Sequence, residues 1–385
     1  MSDTPLDVEL VRVGVVGGGQ LARMMGEAAH GVATTLTVLA SAPDDSAILT
    51  CDGWLIGEAT DLLALRELAH QVDVVTFDHE LVDLDEVAVL EKIGVTVHPS
   101  ATSLQFAVDK AVQRTAFQRA GLPVPRFVVV NASSDERLTD FFNEIGGPPV
   151  VKATRGGYDG RGVLFPADRA EAIAMIDDLA RANDVLVEER LALRGEVAQL
   201  IARAVDGSVV LYPLVSTVQA DGMCVEVRFP AEVSADLHRR AGELAEQIAS
   251  LIDVVGILAI EFFVTDEGLV VNEVALRPHN SGHWTIEGTT TSQFANHLLA
   301  VSGRALGAVR TTASAAVMVN VVGAEEPGSI AAARAIEGAH VHDYGKSWRP
   351  GRKLGHVTVV GDDAAAAHVT AWTSARAYGT RAREA

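Results

Sequence analysis

Cysteine is almost missing from this chain: there are two in 385 residues, Cys51 and Cys224. They lie far apart and outside any C-x-x-C pattern, which argues against a disulfide scaffold and fits packed thiols in a reducing cytoplasm. No His/Cys spacing suits zinc. No apolar run reaches the ~20 residues that span a membrane. Asp3, Asp7 and Glu9 precede the first apolar run, unlike a signal peptide. Basic residues are the scarcer charge, 31 Lys and Arg against 51 Asp and Glu, giving a formal net charge of −20. That balance disfavours nonspecific nucleic acid or anionic membrane as a partner, so any phosphate site must be a local concentration of basic side chains. Low-complexity tracts, internal repeats, the P-loop pattern G-x-x-x-x-G-K-[ST] and the kinase elements H-R-D and D-F-G are also absent. The expectation is a soluble cytoplasmic protein of two or three full-sized domains.

What is present begins with a strand, Val11–Val16, running into Gly17, Gly18, Gly19, Gln20, Leu21 and Ala22 and then a helix to about His30. Strands at Thr35–Leu39 and Val72–Phe77, with a helix at Leu62–His70 between them, continue the alternation of a doubly wound parallel sheet. The glycines match the dinucleotide fingerprint G-x-G-x-x-A, but the second strand ends Leu39-Ala40-Ser41, with Asp44 and Asp45 only beyond Pro43. The loop therefore reads as a strand-to-helix anion site, with NAD as the lesser reading. Asp78 and Glu80 end the Val72–Phe77 strand, where ligands of open α/β sheets gather; helix capping or a solvated loop is equally consistent with that position.

A helix over Ala107–Ala120, carrying Asp109 and Lys110, ends at Gly121. The strand Pro149–Ala153 then presents Lys152, and Arg155–Gly162 follows with four glycines, a fixed charge followed by a flap of the kind a triphosphate needs. Asp184–Glu189 is a strand ending in acids, with Glu196 a short linker beyond. After a helix at Ser234–Ile252 comes an apolar strand, Gly256–Val264, interrupted by Glu261, then a turn at Thr265–Gly268 and the run V-V-N-E-V-A-L-R-P-H-N-S-G-H over 270–283. Folded as a hairpin, these strands put Glu261 and Glu273 within about one residue of opposite each other, roughly 5 Å apart. Two carboxylates so close call for a cation, and their hard oxygens suit magnesium carrying a nucleotide. A buried Arg partner is the blander account of Glu261. Near the C-terminus, Ala315–Val322 and His356–Val360 read as strands and Ala364–Tyr378 as a closing helix. The turn between them carries Lys346, Arg349, Arg352 and Lys353 with no acid from Tyr344 to Gly361, a candidate phosphate cradle.

This order of parts resembles the ATP-grasp superfamily and, within it, the purine-pathway family that carboxylates aminoimidazole ribonucleotide. The carriers are Gly17–Leu21, Gly157-Tyr158-Asp159-Gly160-Arg161-Gly162, Asn272-Glu273, Arg277-Pro278-His279-Asn280-Ser281-Gly282-His283, Tyr344-Gly345-Lys346 and Arg352–His356. The resemblance implies a Rossmann-like pre-ATP-grasp domain over 1–105, an ATP-grasp domain over 106–304 with a flap subdomain at about 125–190, and a small β-rich domain over 305–385. It implies ATP and magnesium as cofactors, bicarbonate and aminoimidazole ribonucleotide as substrates, and a homodimer. Lys110 and Lys152 would contact phosphates under a flap of Gly157–Val163. Glu188, Glu189, Arg190 and Leu191 would line the adenine, Glu196 would hold the ribose, and Gln219, where a His is usual, and Asn272 would complete the nucleotide site. Glu261 and Glu273 would hold the metal. Arg277, His279, Asn280, Lys152 and Tyr158 would carry the chemistry. Gly19, Gln20, Leu21, Asp78, Glu80, Arg277, His279, Lys346, Arg352 and Lys353 would meet the ribonucleotide. A formate-dependent glycinamide ribonucleotide transformylase and an NAD(P)-binding dehydrogenase are the rival readings.

Overall fold

The computed structural model describes residues 9–156, 162–220 and 222–381. Its N-terminal sheet has four parallel strands in the spatial order Gly53–Ile56, Thr34–Ala40, Val11–Val16, Val74–Phe77. The two inner strands are apolar on both faces because helices cover both: Gln20–Ala29 packs over one and Leu62–Gln71 over the other. The edge strand Gly53–Ile56 escaped the sequence analysis. It is four residues long, and its Trp54 and Ile56 stay at least half exposed, so it lacks the apolar run of a buried strand.

A second four-stranded sheet is antiparallel, ordered Phe127–Val130, Val185–Glu189, Pro149–Ala153, Val163–Leu164. Helices Glu136–Ile145 and Arg169–Leu179 close its core on Leu138, Phe142 and Ile176. This sheet holds Lys152 and Glu188 on adjacent central strands.

The third sheet has nine strands. Its path runs Gly268–Ala275, Gly256–Thr265, Gly195–Arg203, Val215–Ala220, Met223–Phe229, Ala315–Val322, Lys353–Gly361, His340–Asp343, with Val209–Leu211 paired to Gly195–Arg203. The C-terminal strands thus extend the central sheet, through pairs such as Val227 with Met318, instead of forming a sheet apart. The helix Ala235–Ile252 covers the sheet with Ala241, Leu244, Ala245, Ile248 and Ile252, an i, i+3, i+4 stripe; Ser234 caps it by accepting from the Leu237 N–H.

One expected helix is broken. Instead of a single helix over Ala107–Ala120, Ala101–Val108 ends and Lys110–Arg119 begins at Asp109, which adopts an extended backbone (φ −126°, ψ 107°). Its carboxylate accepts from the N–H groups of Ala111 and Val112, and this local capping competes successfully with helix continuation. The break turns the Lys110 N–H toward the Thr154 carbonyl at 2.9 Å and so fixes Lys110 against the strand of Lys152.

Candidate active site

The hairpin of the central sheet sets Glu261 directly opposite Glu273, with an irregularity between Glu261 and Phe262 that bends the strand there. Burial, then the charges of Glu273 and Glu196, push the Glu261 carboxyl up to about 8. A carboxylate held that way favours a neighbouring cation. Lys110 Nζ lies 3.7 Å from Glu273 Oε2, and His279 Nε2 lies 3.9 Å from Glu261 Oε1. Among the described residues no group of three or more His, Cys, Asp or Glu is arranged to hold a metal. Two carboxylates suit magnesium, which takes its remaining ligands from water and nucleotide phosphates.

Facing the hairpin, Lys152 is buried and its Nζ is 2.6 Å from Glu188 Oε2. The other oxygen of Glu188 accepts from Arg114 Nε. Burial works against the Glu188 charge, but Arg114 and Lys152 outweigh it and bring the carboxyl down to about 2. The Glu188 side chain is therefore committed to two cations, which leaves its backbone for the place expected along the adenine. Glu189 pairs with Arg126 (2.7 Å), and the Arg190 guanidinium lies over the Phe165 ring at 5.1 Å, so these side chains have protein partners too. Leu191 follows the strand end, half-buried. Gln219 hydrogen-bonds Glu196, whose carboxyl burial raises. Gly162 accepts from the Ala153 N–H, and Val163 pairs with Lys152 at the base of the flap. Gly157, Tyr158, Asp159, Gly160 and Arg161 lie outside the described residues.

On the third side, Arg277 Nε forms a 2.8 Å ion pair with Glu80 Oε2, joining the loop after the Glu261–Glu273 hairpin to the N-terminal sheet. Asp78 is buried, and its Oδ2 accepts from the Gly19 N–H at 2.8 Å. The anion served by the glycine loop is thus the protein's own carboxylate. A Cβ on Gly17, whose φ is +112°, would fall 1.7 Å from Asp78 Oδ1, so only glycine fits there. Nor does the end of the second strand offer an acid to a ribose, because Asp45 is turned back to accept from the N–H groups of Ser41 and Ala42. These contacts remove the basis for the dinucleotide reading. The Leu21 side chain is core, packed with Met25 and Val38, so only its backbone faces the loop.

The other expectations divide. Asn280 and Asn320 exchange hydrogen bonds of 2.9 and 2.7 Å through their amides, so Asn280 ties the loop to the C-terminal strands. The basic turn is not one cradle. Lys346 Nζ donates to Gln20 Oε1 at 2.5 Å, Arg352 folds back on Ser347, and Lys353, the first residue of its strand, sends its charge toward Glu261 and His283. Arg352 ends the turn and Lys353 opens the strand, which parts their side chains, and that was not visible while the strand was expected to begin at His356. His283 is buried; its Nδ1 lies 3.1 Å from Gln293 Nε2, and its ring sits 5.0 Å from that of His356. Sequence reasoning missed Arg114, whose only signal was its place one turn after Lys110.

A buried lysine held by an acid, and a second lysine beside a carboxylate pair, on sheets arranged in this order are the parts of an ATP-grasp ligase. The family models agree: residues 10–108 match the ribonucleotide synthetase pre-ATP-grasp domain, 115–294 the ATP-grasp domain, and 316–370 the phosphoribosylaminoimidazole carboxylase C-terminal domain. The N5-carboxyaminoimidazole ribonucleotide synthase of Mycobacterium tuberculosis H37Rv is 45% identical over 363 residues, 92% of this chain and 84% of that protein. The Thermus thermophilus synthetase structure superposes with a TM-score of 0.88 at 34% identity, covering 97% of this chain and all of that one. The Aspergillus clavatus enzyme, solved with ADP and 5-aminoimidazole ribonucleotide, gives a TM-score of 0.84 at 27% identity, over 96% of this chain and 99% of that one. The chain belongs to the N5-carboxyaminoimidazole ribonucleotide synthase family.

Proposed function

We propose that the protein carboxylates 5-aminoimidazole ribonucleotide with bicarbonate at the expense of ATP, giving N5-carboxyaminoimidazole ribonucleotide, ADP and phosphate. The observation that carries this reading is the opposed pair Glu261 and Glu273, with Lys110 beside it and Lys152 tied to its strand through Glu188 and Arg114. Bicarbonate oxygen attacks the γ-phosphorus of ATP, the bond to the bridging oxygen breaks, and ADP leaves carboxyphosphate behind. The exocyclic amine of the ribonucleotide then attacks the carboxyl carbon, phosphate departs, and the amine loses a proton to give the carbamate. Lys110 and Lys152 hold phosphate oxygens in place, and Arg277, anchored by Glu80, offers positive charge where the transferred phosphoryl group and bicarbonate meet. Glu261 and Glu273 would hold magnesium, which supplies charge neutralisation on the phosphates when bound. The flap excludes water, which would hydrolyse the mixed anhydride. Every group in this account positions or neutralises; no Ser or Cys nucleophile is required, and the half-buried Cys224 has its thiol pushed up to about 12, chiefly by loss of solvent.

The labour divides over units at 1–105, 106–304 and 305–385, the second carrying the smaller sheet as its flap subdomain. The two free cysteines fit a reducing cytoplasm, and no helix among the described residues is long and apolar enough to cross a membrane. A homodimer is the assembly we assign, to be checked by light scattering. Phosphate release decides the reaction. It should require bicarbonate together with aminoimidazole ribonucleotide, and release with formate and glycinamide ribonucleotide instead would reassign the enzyme.

A further inference from the structure

Arg114 touches neither reactant in the chemistry above, yet its buried guanidinium joins three parts of the site. It lies one turn after Lys110 on the helix Lys110–Arg119, so both side chains leave the same face. Its Nε donates to Glu188 Oε1, its Nη1 to Gln113 Oε1 at 3.1 Å and its Nη2 to the Asn272 carbonyl at 2.6 Å. The remaining oxygen of Glu188 is the one that meets Lys152. Asn272 directly precedes Glu273. The guanidinium is thus bonded on one edge to the acid that aims the phosphate lysine, and on another to the backbone that carries a metal carboxylate.

The charge count makes this more than a strut. Glu188 is shared by two cations, so the trio keeps one uncompensated positive charge, buried where it acts strongly on an arriving phosphate. Without Arg114, Glu188 would be left to neutralise Lys152 alone. A lysine at 114 would keep the charge but lose the planar fork, which alone can serve divergent acceptors from one fixed plane.

We propose that Arg114 is a positioning residue for the nucleotide: through Glu188 it aims Lys152, and through the Asn272 carbonyl it fixes the strand of Glu273, locking the phosphate lysine and the metal carboxylates into one geometry. This rests on the nucleotide reading of the site. Two substitutions separate its parts. Arg114→Met removes charge and fork; Arg114→Lys removes the fork and keeps the charge. ADP binding by calorimetry with magnesium present should weaken at least tenfold in Arg114→Met and by a smaller factor in Arg114→Lys. In Arg114→Lys the magnesium concentration for half-maximal activity should rise at least threefold. KM for the ribonucleotide should stay within twofold in both, a split that general loosening of the fold would not produce. Circular dichroism and melting curves report folding. Should Arg114→Met not fold, Arg114→Lys decides: unchanged ADP affinity and unchanged magnesium dependence overturn the proposal, as does a folded Arg114→Met that binds ADP normally. Absence of ADP binding in the unsubstituted protein would instead refute the nucleotide reading.

Discussion

Glu261 and Glu273 meet across one ladder position, and the two differ in setting: Glu261 is recessed and raised by its neighbours, whereas Glu273 is half-exposed beside Lys110. Glu273→Gln preserves size and leaves the hairpin intact while removing the charge. Turnover should fall by at least ~10²-fold, the scale of losing one electrostatic contact to the transition state, with the melting temperature nearly unchanged; near-normal activity at ordinary magnesium would exclude Glu273 as a ligand. Lys353, in the basic turn, brings its charge to the hairpin. Lys353→Ala should raise KM for the ribonucleotide by ~10-fold or more and KM for ATP by far less, as lost ground-state binding of one substrate does. Equal increases would place Lys353 on the nucleotide side of the site. The acid pair was legible in the sequence because a two-residue turn fixes hairpin register. The Arg114 to Glu188 contact was not, because 74 residues separate the partners and nothing local marks them.

Elements followed the same division. The helix Ala235–Ile252 declared itself by its apolar stripe and Ser234 cap, whereas the break at Asp109 depended on one side chain turning back on its own backbone, which a helical pattern does not reveal. The strand Met223–Phe229 and the final helix Ala364–Tyr378 are joined by a buried carboxylate that no periodicity announces. Glu226 accepts from Arg228 Nε at 2.8 Å and Nη2 at 3.0 Å and from Trp372 Nε1 at 3.1 Å, and it pairs with His368 Nδ1 at 2.7 Å. Burial tends to raise its pKa, but the bonds from Arg228, His368 and Trp372 prevail and lower it. A lowered folded-state pKa contributes stability that is present above the unfolded value, near ~4.3, and is lost as pH falls through the folded value. Glu226→Gln should therefore be less stable at pH 7 and lose less of its remaining stability between pH 5 and pH 3 than the unsubstituted chain. Urea midpoints across that range measure it, and parallel curves for the two proteins would show that Glu226 carries no such linkage.

For the molecule as a whole, strand–helix alternation at the N-terminus and the order of motifs conveyed the class of fold, but not how the last third attaches. The pairing of Met223–Phe229 with Ala315–Val322 joins segments about 90 residues apart, and nothing local in either strand names the other as its partner. Their union means that Ala315–Val322 is an interior strand, flanked on both sides. A chain ending at residue 314 would leave Met223–Phe229 with a row of open N–H and C=O groups, the template for sticking to a second copy. Such a truncation should be recovered largely as aggregate, and a monodisperse, folded product on size-exclusion chromatography would contradict that. Heredity has a stake in this carpentry. A tail hung on a linker can be swapped between genes as a cassette, but one dovetailed into the central sheet must be inherited with the rest of the molecule, so changes in the last third have to answer to the strands they join.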